Sequence, residues 1–174
     1  AGVRRLRLTL AGRQRASLAA LRGSLGDPSV QLAVLDVAAV GLAEALAALR
    51  PQLVIHAAGP FQAQDYRVAE ACLSCGCDYV DLADGRGFVG GIARLDDRAT
   101  AAGRLLVSGA STVPAFSSAV VDALLPRFGA LEGIEHAISP GNRTPRGEAT
   151  VAAILGYCGR PVQLWRDGHW QQGR

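Results

Sequence analysis

Short apolar runs alternate along the chain with Ala-rich stretches whose leucines recur at helical spacing. Over residues 3–11, Leu6, Leu8 and Leu10 alternate with Arg7 and Thr9, and Gly12-Arg13 ends the run; this period of two predicts a strand. Residues 16–25 place Leu18, Leu21 and Leu25 on one helical face and stop at Gly26-Asp27-Pro28. The alternation then repeats. Strands are expected at 30–35, 53–57, 79–82 and 105–107, and helices at 41–49, 64–75, 88–102 and 114–128, with Gly76 as a C-cap. Strand and helix in strict succession predict βαβ units and a parallel sheet covered by helices, a doubly wound α/β fold. Beyond Phe128 the pattern changes. A strand is expected at 134–138, a Gly/Pro/Arg loop at 139–147 and a helix at 149–157. Residues 163–170 alternate like a strand interrupted by a turn at Asp167-Gly168, so that Trp165 and Trp170 belong to a hairpin that anchors a second domain or forms a dimer seam. A boundary near residue 129 divides a first domain, 1–128, from the start of an α+β domain, 129–174.

The chain has 174 residues and a mass of 18.0 kDa, enough to bury about 70% of its unfolded surface. With 49% apolar and 19% charged residues it is no disordered segment. A net charge of +3 is too small to make nucleic acid or an anionic membrane the main partner. No apolar run is long enough for a membrane span, and Arg4, Arg5 and Arg7 lead into no uninterrupted signal-like stretch. All 18 cations are arginine. Without lysine the chain has no Schiff-base amine, no P-loop lysine and no Tyr-x-x-x-Lys pair. Methionine is absent too, and the chain reads as a piece of a longer protein.

Cys72, Cys75 and Cys77 invite a zinc or redox reading, but no second Cys or His pair stands at ligand spacing. No metal is expected. The plainer reading is small, partly buried thiols at a helix end, kept reduced in the cytoplasm.

In open parallel α/β sheets, ligands lie outside the carboxyl ends of the strands. The residues there are Gly12 and Arg13, Asp36 and Val37, Ala57, Ala58 and Gly59, Asp81 to Gly85, and Ser108, Gly109 and Ala110. Small residues admit a flat or anionic ligand close to the backbone. An arginine after the first run suits a ribose 2′-phosphate, which its planar fork grips by two hydrogen bonds, whereas an acid there would bind a free 2′-hydroxyl. The expected cofactor is therefore NADP rather than NAD. Asp81 and Asp84 are the candidate acid or base, set against the alternative of helix-capping or ion-pairing carboxylates. His56, inside an apolar strand, reads as a hydrogen-bonded core residue, and His136 has nothing in the pattern to orient it. Arg143 and Arg146 are candidates for binding a substrate carboxylate, or else solvated loop cations. Gly109-Ala110-Ser111 is no nucleophile elbow, because Val113 stands where that motif needs glycine. A G-x-G-x-x-G turn is also absent. The run at 3–11 fits the second strand of the order 3-2-1-4-5-6, and Ala1-Gly2 fits the turn that ends a preceding helix. That order puts the missing first strand at its centre, so a gap is expected between the 3–11 and 53–57 strands.

Val54-Ile55-His56-Ala57-Ala58-Gly59-Pro60-Phe61, the stretch Gln64 to Cys72, and Tyr79-Val80-Asp81-Leu82-Ala83-Asp84-Gly85-Arg86 resemble the saccharopine dehydrogenase-like NADP-binding proteins of bacteria. Ser108 to Pro114 and Ser139 to Gly147 fit the same group. The resemblance implies a Rossmann-like domain followed by an α+β domain that holds a small-molecule substrate and a homodimer contact. It implies hydride transfer to or from NADP. By position, Gly12 and Arg13 would bracket the 2′-phosphate and Asp36 and Val37 would meet adenine. Ala57, Ala58 and Gly59 would line the middle of the cofactor, and Ser108 and Gly109 would lie near the nicotinamide. The rival is a non-catalytic dinucleotide-binding module with a sensing or assembly role.

Overall fold

The computed structural model describes residues 6–139, 141, 143 and 147–173. Its first half follows the expected alternation. Strands β1 (Thr9–Gly12), β2 (Gln31–Val34), β3 (Leu53–His56), β4 (Asp78–Asp81) and β5 (Leu106–Val107) are separated by helices α1 (Arg15–Leu25), α2 (Leu42–Leu49), α3 (Arg67–Cys75), α4 (Arg86–Gly91) and α5 (Asp96–Ala102). Every ladder among them is parallel. β1 pairs with β2 from Thr9↔Gln31 to Gly12↔Val34, β3 with β4 from Leu53↔Asp78 to His56↔Asp81, and β4 with β5 at Tyr79↔Leu106 and Val80↔Val107.

These ladders form two sheets, β1-β2 and β3-β4-β5. Among the described residues no ladder joins β1 to β3, the position where the expected order leaves its gap. The sheets are joined instead through helices. α2 packs on α3, Leu42 and Leu46 of α2 enter the main core, and Leu35 and Val37 beyond β2 pack against it. The Arg67 guanidinium at the start of α3 donates to the Ala38 carbonyl at 3.4 Å. This contact sets the loop after β2 beside the helix that follows β3, so these carboxyl ends share one side.

The core lies between α3 and the β3-β4-β5 sheet. Val68, Ala69, Ala71, Cys72 and Leu73 of α3 are buried with Tyr79, Phe61, Tyr66 and Phe88. The last three rings form a chain, with Phe88 stacked on Tyr66 at 4.7 Å and tilted against Phe61 at 5.3 Å. The Tyr66 hydroxyl donates to the Phe88 carbonyl at 2.6 Å, which satisfies its polar end inside the core.

Several elements depart from the sequence pattern, each for a local reason. The first strand begins at Thr9, and Leu6 and Leu8 lie exposed before it; residues 1–5, with the Ala1-Gly2 turn, lie outside the described residues. The helix expected from residue 64 begins at Arg67, because the Asp65 carboxylate takes the Arg67 N–H at 3.2 Å. The helix expected over 88–102 breaks into α4, a 3₁₀ turn at Ile92–Leu95, and α5. Gly90 and Gly91 weaken the helix there, and the Gly91 carbonyl is bonded by Arg94 Nε at 2.9 Å. A side chain at Gly91 would run into the Tyr66 hydroxyl. The helix over 114–128 shortens to α6 (Ser117–Leu124), between a wide turn at Thr112–Phe116 and a 3₁₀ turn at Leu125–Arg127 that holds Pro126.

The strand expected at 134–138 does not form. Residues 130–139 are irregular and exposed, and among the described residues no strand pairs with them to satisfy their backbone groups. Further on, α7 (Glu148–Leu155) precedes an antiparallel hairpin of β6 (Val162–Arg166) and β7 (His169–Gly173). Asp167 and Gly168 turn it with φ of 53° and 77°, the twin positive values of a type I′ turn. Trp165 and Trp170 face each other in register, edge to face at 5.3 Å. No helix among the described residues is long and apolar enough to cross a membrane.

Phe88→Ala removes the ring that links Tyr66 to Phe61. It should cost about 3–5 kcal/mol of stability, read as a lowered urea midpoint with an unchanged slope.

Candidate functional site

Each segment singled out for cofactor contact sits at or just beyond the carboxyl end of a parallel strand. Gly12 ends β1 against Leu18 of α1, where an added Cβ would lie 3.3 Å from Leu18 Cδ2. Its carbonyl accepts the Leu35 N–H at 3.0 Å, which holds the Gly12-Arg13 turn beside Asp36. Arg13 is exposed and, among the described residues, has no ion-pair partner. Asp36 Oδ1 accepts the Ala38 N–H at 2.9 Å and shapes the turn after β2, while Val37 packs inward. Beyond β3, Ala57, Ala58 and Gly59 are exposed. The Gln64 amide fixes this loop by donating to the Ala58 and Pro60 carbonyls at 2.6 and 3.0 Å.

Asp81 organises the ends of β4 and β5. It is fully buried, and its Oδ1 accepts from the Gly109 N–H at 2.8 Å, the Ala83 N–H at 2.9 Å and the Ser108 hydroxyl at 3.0 Å. Its backbone carbonyl accepts the Ala110 N–H at 2.8 Å. Ser108 and Gly109 are therefore pinned to β4 by one carboxylate. Gly109 has φ +82°, and a Cβ there would lie 3.0 Å from Pro114 and 3.2 Å from Val89, so both conformation and space require glycine.

Opposite Asp81 in register is His56, also buried. Its Nδ1 and the Tyr79 hydroxyl share a hydrogen bond of 3.0 Å, and Phe61 meets the imidazole edge-on at 5.0 Å. His56 Nε2 and Asp81 Oδ2 are buried without a hydrogen-bond partner among the described residues. Burial holds the imidazole below its ordinary value, with the Asp81 charge pulling the other way, and burial raises the Tyr79 phenol. His56 is thus a core residue with a polar partner, as its place in an apolar strand implies.

The two candidate acids have different surroundings. Asp81 is turned into the fold, whereas Asp84 is exposed and its Oδ1 accepts from Gln62 at 3.0 Å. Arg143 is exposed, and Arg146 lies outside the described residues. His136 lines a small cavity with Ser117, Ser118 and Asp122. An open groove of about 460 Å³ runs between α2 and α3 from Ala38 to Arg98. Its cations are engaged, Arg67 with Asp65 at 2.7 Å and Arg98 with Glu70 at 3.0 Å, and the Arg67 hydrogen bonds hold the Asp65 carboxyl down at about 2. The Gln64 clamp and the His56–Tyr79 pair were not read from the pattern. Asp65, a good helix-starting residue, was the available signal that Gln64 lies outside the helix.

Asp81→Asn keeps an acceptor oxygen, and Asp81→Ala leaves the Gly109 and Ala83 N–H groups without one. Denaturation should place the alanine variant below the asparagine variant by at least about 1.5–3 kcal/mol. The depressed His56 value makes unfolding take up a proton. Its contribution is complete above the ordinary value of 6.5 and is lost as pH falls toward the folded value. His56→Gln should remove that component of the melting-temperature decline as pH falls below 6.5.

The family model for the saccharopine dehydrogenase NADP binding domain matches residues 2–107, ending with β5. No curated protein matches the chain. With parallel strands, a small-residue rim and this match over more than half its length, the chain belongs to the saccharopine dehydrogenase NADP-binding domain family.

Proposed function

We propose that the chain holds NADP within an oxidoreductase that passes a hydride between the cofactor and a small-molecule or amino-acid-derived substrate. The observation that carries this reading is the rim at the carboxyl ends of the parallel strands. There the exposed Ala57-Ala58-Gly59 backbone stands beyond β3, the pinned Ser108-Gly109 turn beyond β5, and the Arg13 guanidinium, without an ion-pair partner among the described residues, beyond β1.

These residues suit the cofactor's chemistry. Arg13 offers a fork to a 2′-phosphate with no ion-pair partner among the described residues to compete for it, and Gly12 lets the phosphate approach the turn. Asp36 and Val37 border the adenine position. Ala57, Ala58 and Gly59 present no side chain that would hold the cofactor away, and Ser108 and Gly109 form the floor near the nicotinamide. When bound, the cofactor supplies the hydride chemistry. The chain's part is to bind, orient and exclude water, with Asp84 rather than buried Asp81 exposed for proton exchange. Arg143 and Arg146 would meet a substrate carboxylate. Residues 129–174 would begin the substrate domain and provide a homodimer contact, in a cytoplasmic protein.

Titration with NADPH and NADH, followed by the emission of the reduced nicotinamide, tests the reading. NADPH should bind in preference, and Arg13→Ala should reduce that preference about ten- to a hundredfold. Equal and negligible binding of both would overturn it. A chain that prefers NADH, or an unchanged ratio in the variant, would remove Arg13 from its role.

A further inference from the structure

The three cysteines at the α3–β4 junction play no part in the cofactor rim. All four cysteines of the chain are free thiols, and Cys75 Sγ lies 3.5 Å from Cys77 Sγ. The chain geometry between them makes this approach. α3 ends at Cys75, Gly76 takes the left-handed conformation with φ 70° and ψ 37°, and the Gly76 and Cys77 N–H groups close back on the Leu73 and Cys72 carbonyls at 3.2 and 3.0 Å. Nothing crowds a Cβ at Gly76, so it is the reversal of the backbone, not lack of space, that calls for glycine. That reversal turns the last side chain of the helix toward the first beyond it. Cα atoms two residues apart are at most about 7 Å apart, and a tight turn shortens the span toward the about 4.4–6.8 Å that disulfides bridge. No group of the described residues is arranged to hold a metal ion, so the cluster's available chemistry is that of thiols.

We propose that Cys75 and Cys77 form a reversible oxidation site, closing to an intramolecular disulfide when the protein meets a peroxide. The two sulfurs differ in access. Cys75 is partly exposed, while Cys77 and Cys72 are fully buried. The Cys75 thiolate attacks a peroxide oxygen, the O–O bond breaks, and a sulfenic acid and hydroxide result. Cys77 then gives up its proton and attacks the Cys75 sulfur, the S–O bond breaks and water leaves. Two thiols become one disulfide, and one hydrogen peroxide becomes two waters. Closure shortens the sulfur separation by about 1.5 Å, a movement that rotation of Cys75 away from its contact with the Cys72 carbonyl can supply. Burial and the hydrogen bond with Cys75 push the Cys77 thiol up to about 11, so the closing step quickens as pH rises. Cys72 lies near, but burial raises its thiol further and its sulfur is shielded within the core. One intervening residue makes a very short loop, which favours easy reduction over a stabilising staple.

The test treats the full chain with hydrogen peroxide, quenches it, alkylates under denaturing conditions and sequences the tryptic peptide 68–86 by mass spectrometry. Titratable thiols should fall from four to two. The peptide should be lighter by two hydrogens, with the alkylating label on Cys72 alone, and dithiothreitol should restore all four thiols. Cys75→Ser, at the partly exposed position, should keep its three thiols free of any disulfide under the same dose, and Cys158→Ser should still close the link. Retention of all four thiols, a link involving Cys72, an intermolecular link through Cys158, or Cys75 oxidised to sulfinic acid with no disulfide would each overturn the proposal.

Discussion

One carboxylate oxygen ties together the ends of two strands. Asp81 Oδ1 takes the N–H of Ala83 in its own turn and the N–H of Gly109 and hydroxyl of Ser108 from beyond β5. β5 is only two residues long and pairs with β4 at two positions, so its ladder alone holds the following loop weakly. The side chain continues the ladder past the point where backbone pairing stops. A buried carboxylate oxygen needs hydrogen-bond donors, and the donors to Oδ1 lie on the rim expected to face a cofactor. Stability and the shape of the rim therefore draw on the same contacts.

A second constraint concerns the seam between β1 and β3. Both sheets are parallel and both have their own covering helices, yet they communicate through α2 and α3 and the Arg67–Ala38 contact rather than through strand pairing. Val34 of β2 and Leu53 and Ile55 of β3 remain exposed, apolar positions of a kind that a sheet covered on both faces would bury. The Arg13 side of the rim and the Gly59–Gly109 side thus belong to different sheets, and their spacing depends on helix packing.

Much of the first half was legible because periodicity and punctuation agreed. Leu18, Leu21 and Leu25 followed by Gly26, and Cys75 followed by Gly76, mark helices whose ends fall where expected. The Asp167-Gly168 signal likewise located the hairpin. Legibility failed where a tertiary partner decides the outcome. Residues 134–138 have the composition of a strand, but among the described residues no strand pairs with them. The 88–102 segment is periodic enough for one helix, yet the Tyr66 ring and its hydroxyl crowd Gly91 and the Arg94 side chain bonds the Gly91 carbonyl. The strand-end residues could be chosen from the sequence because, within each sheet, parallel pairing puts the carboxyl ends of its strands on one edge. Which of two nearby aspartates would be buried could not, because that depends on the donors from Ser108 and Gly109, more than twenty residues away.

The hairpin has an optical consequence. Both tryptophans of the chain lie in it, ring against ring across β6 and β7. Two indoles this close and steeply inclined share their excited states, giving the hairpin an exciton couplet in circular dichroism. Because no indole lies in the parallel sheets, that band reports the melting of residues 162–173 separately from the loss of helix, and the chain carries its own built-in distinction between its two parts.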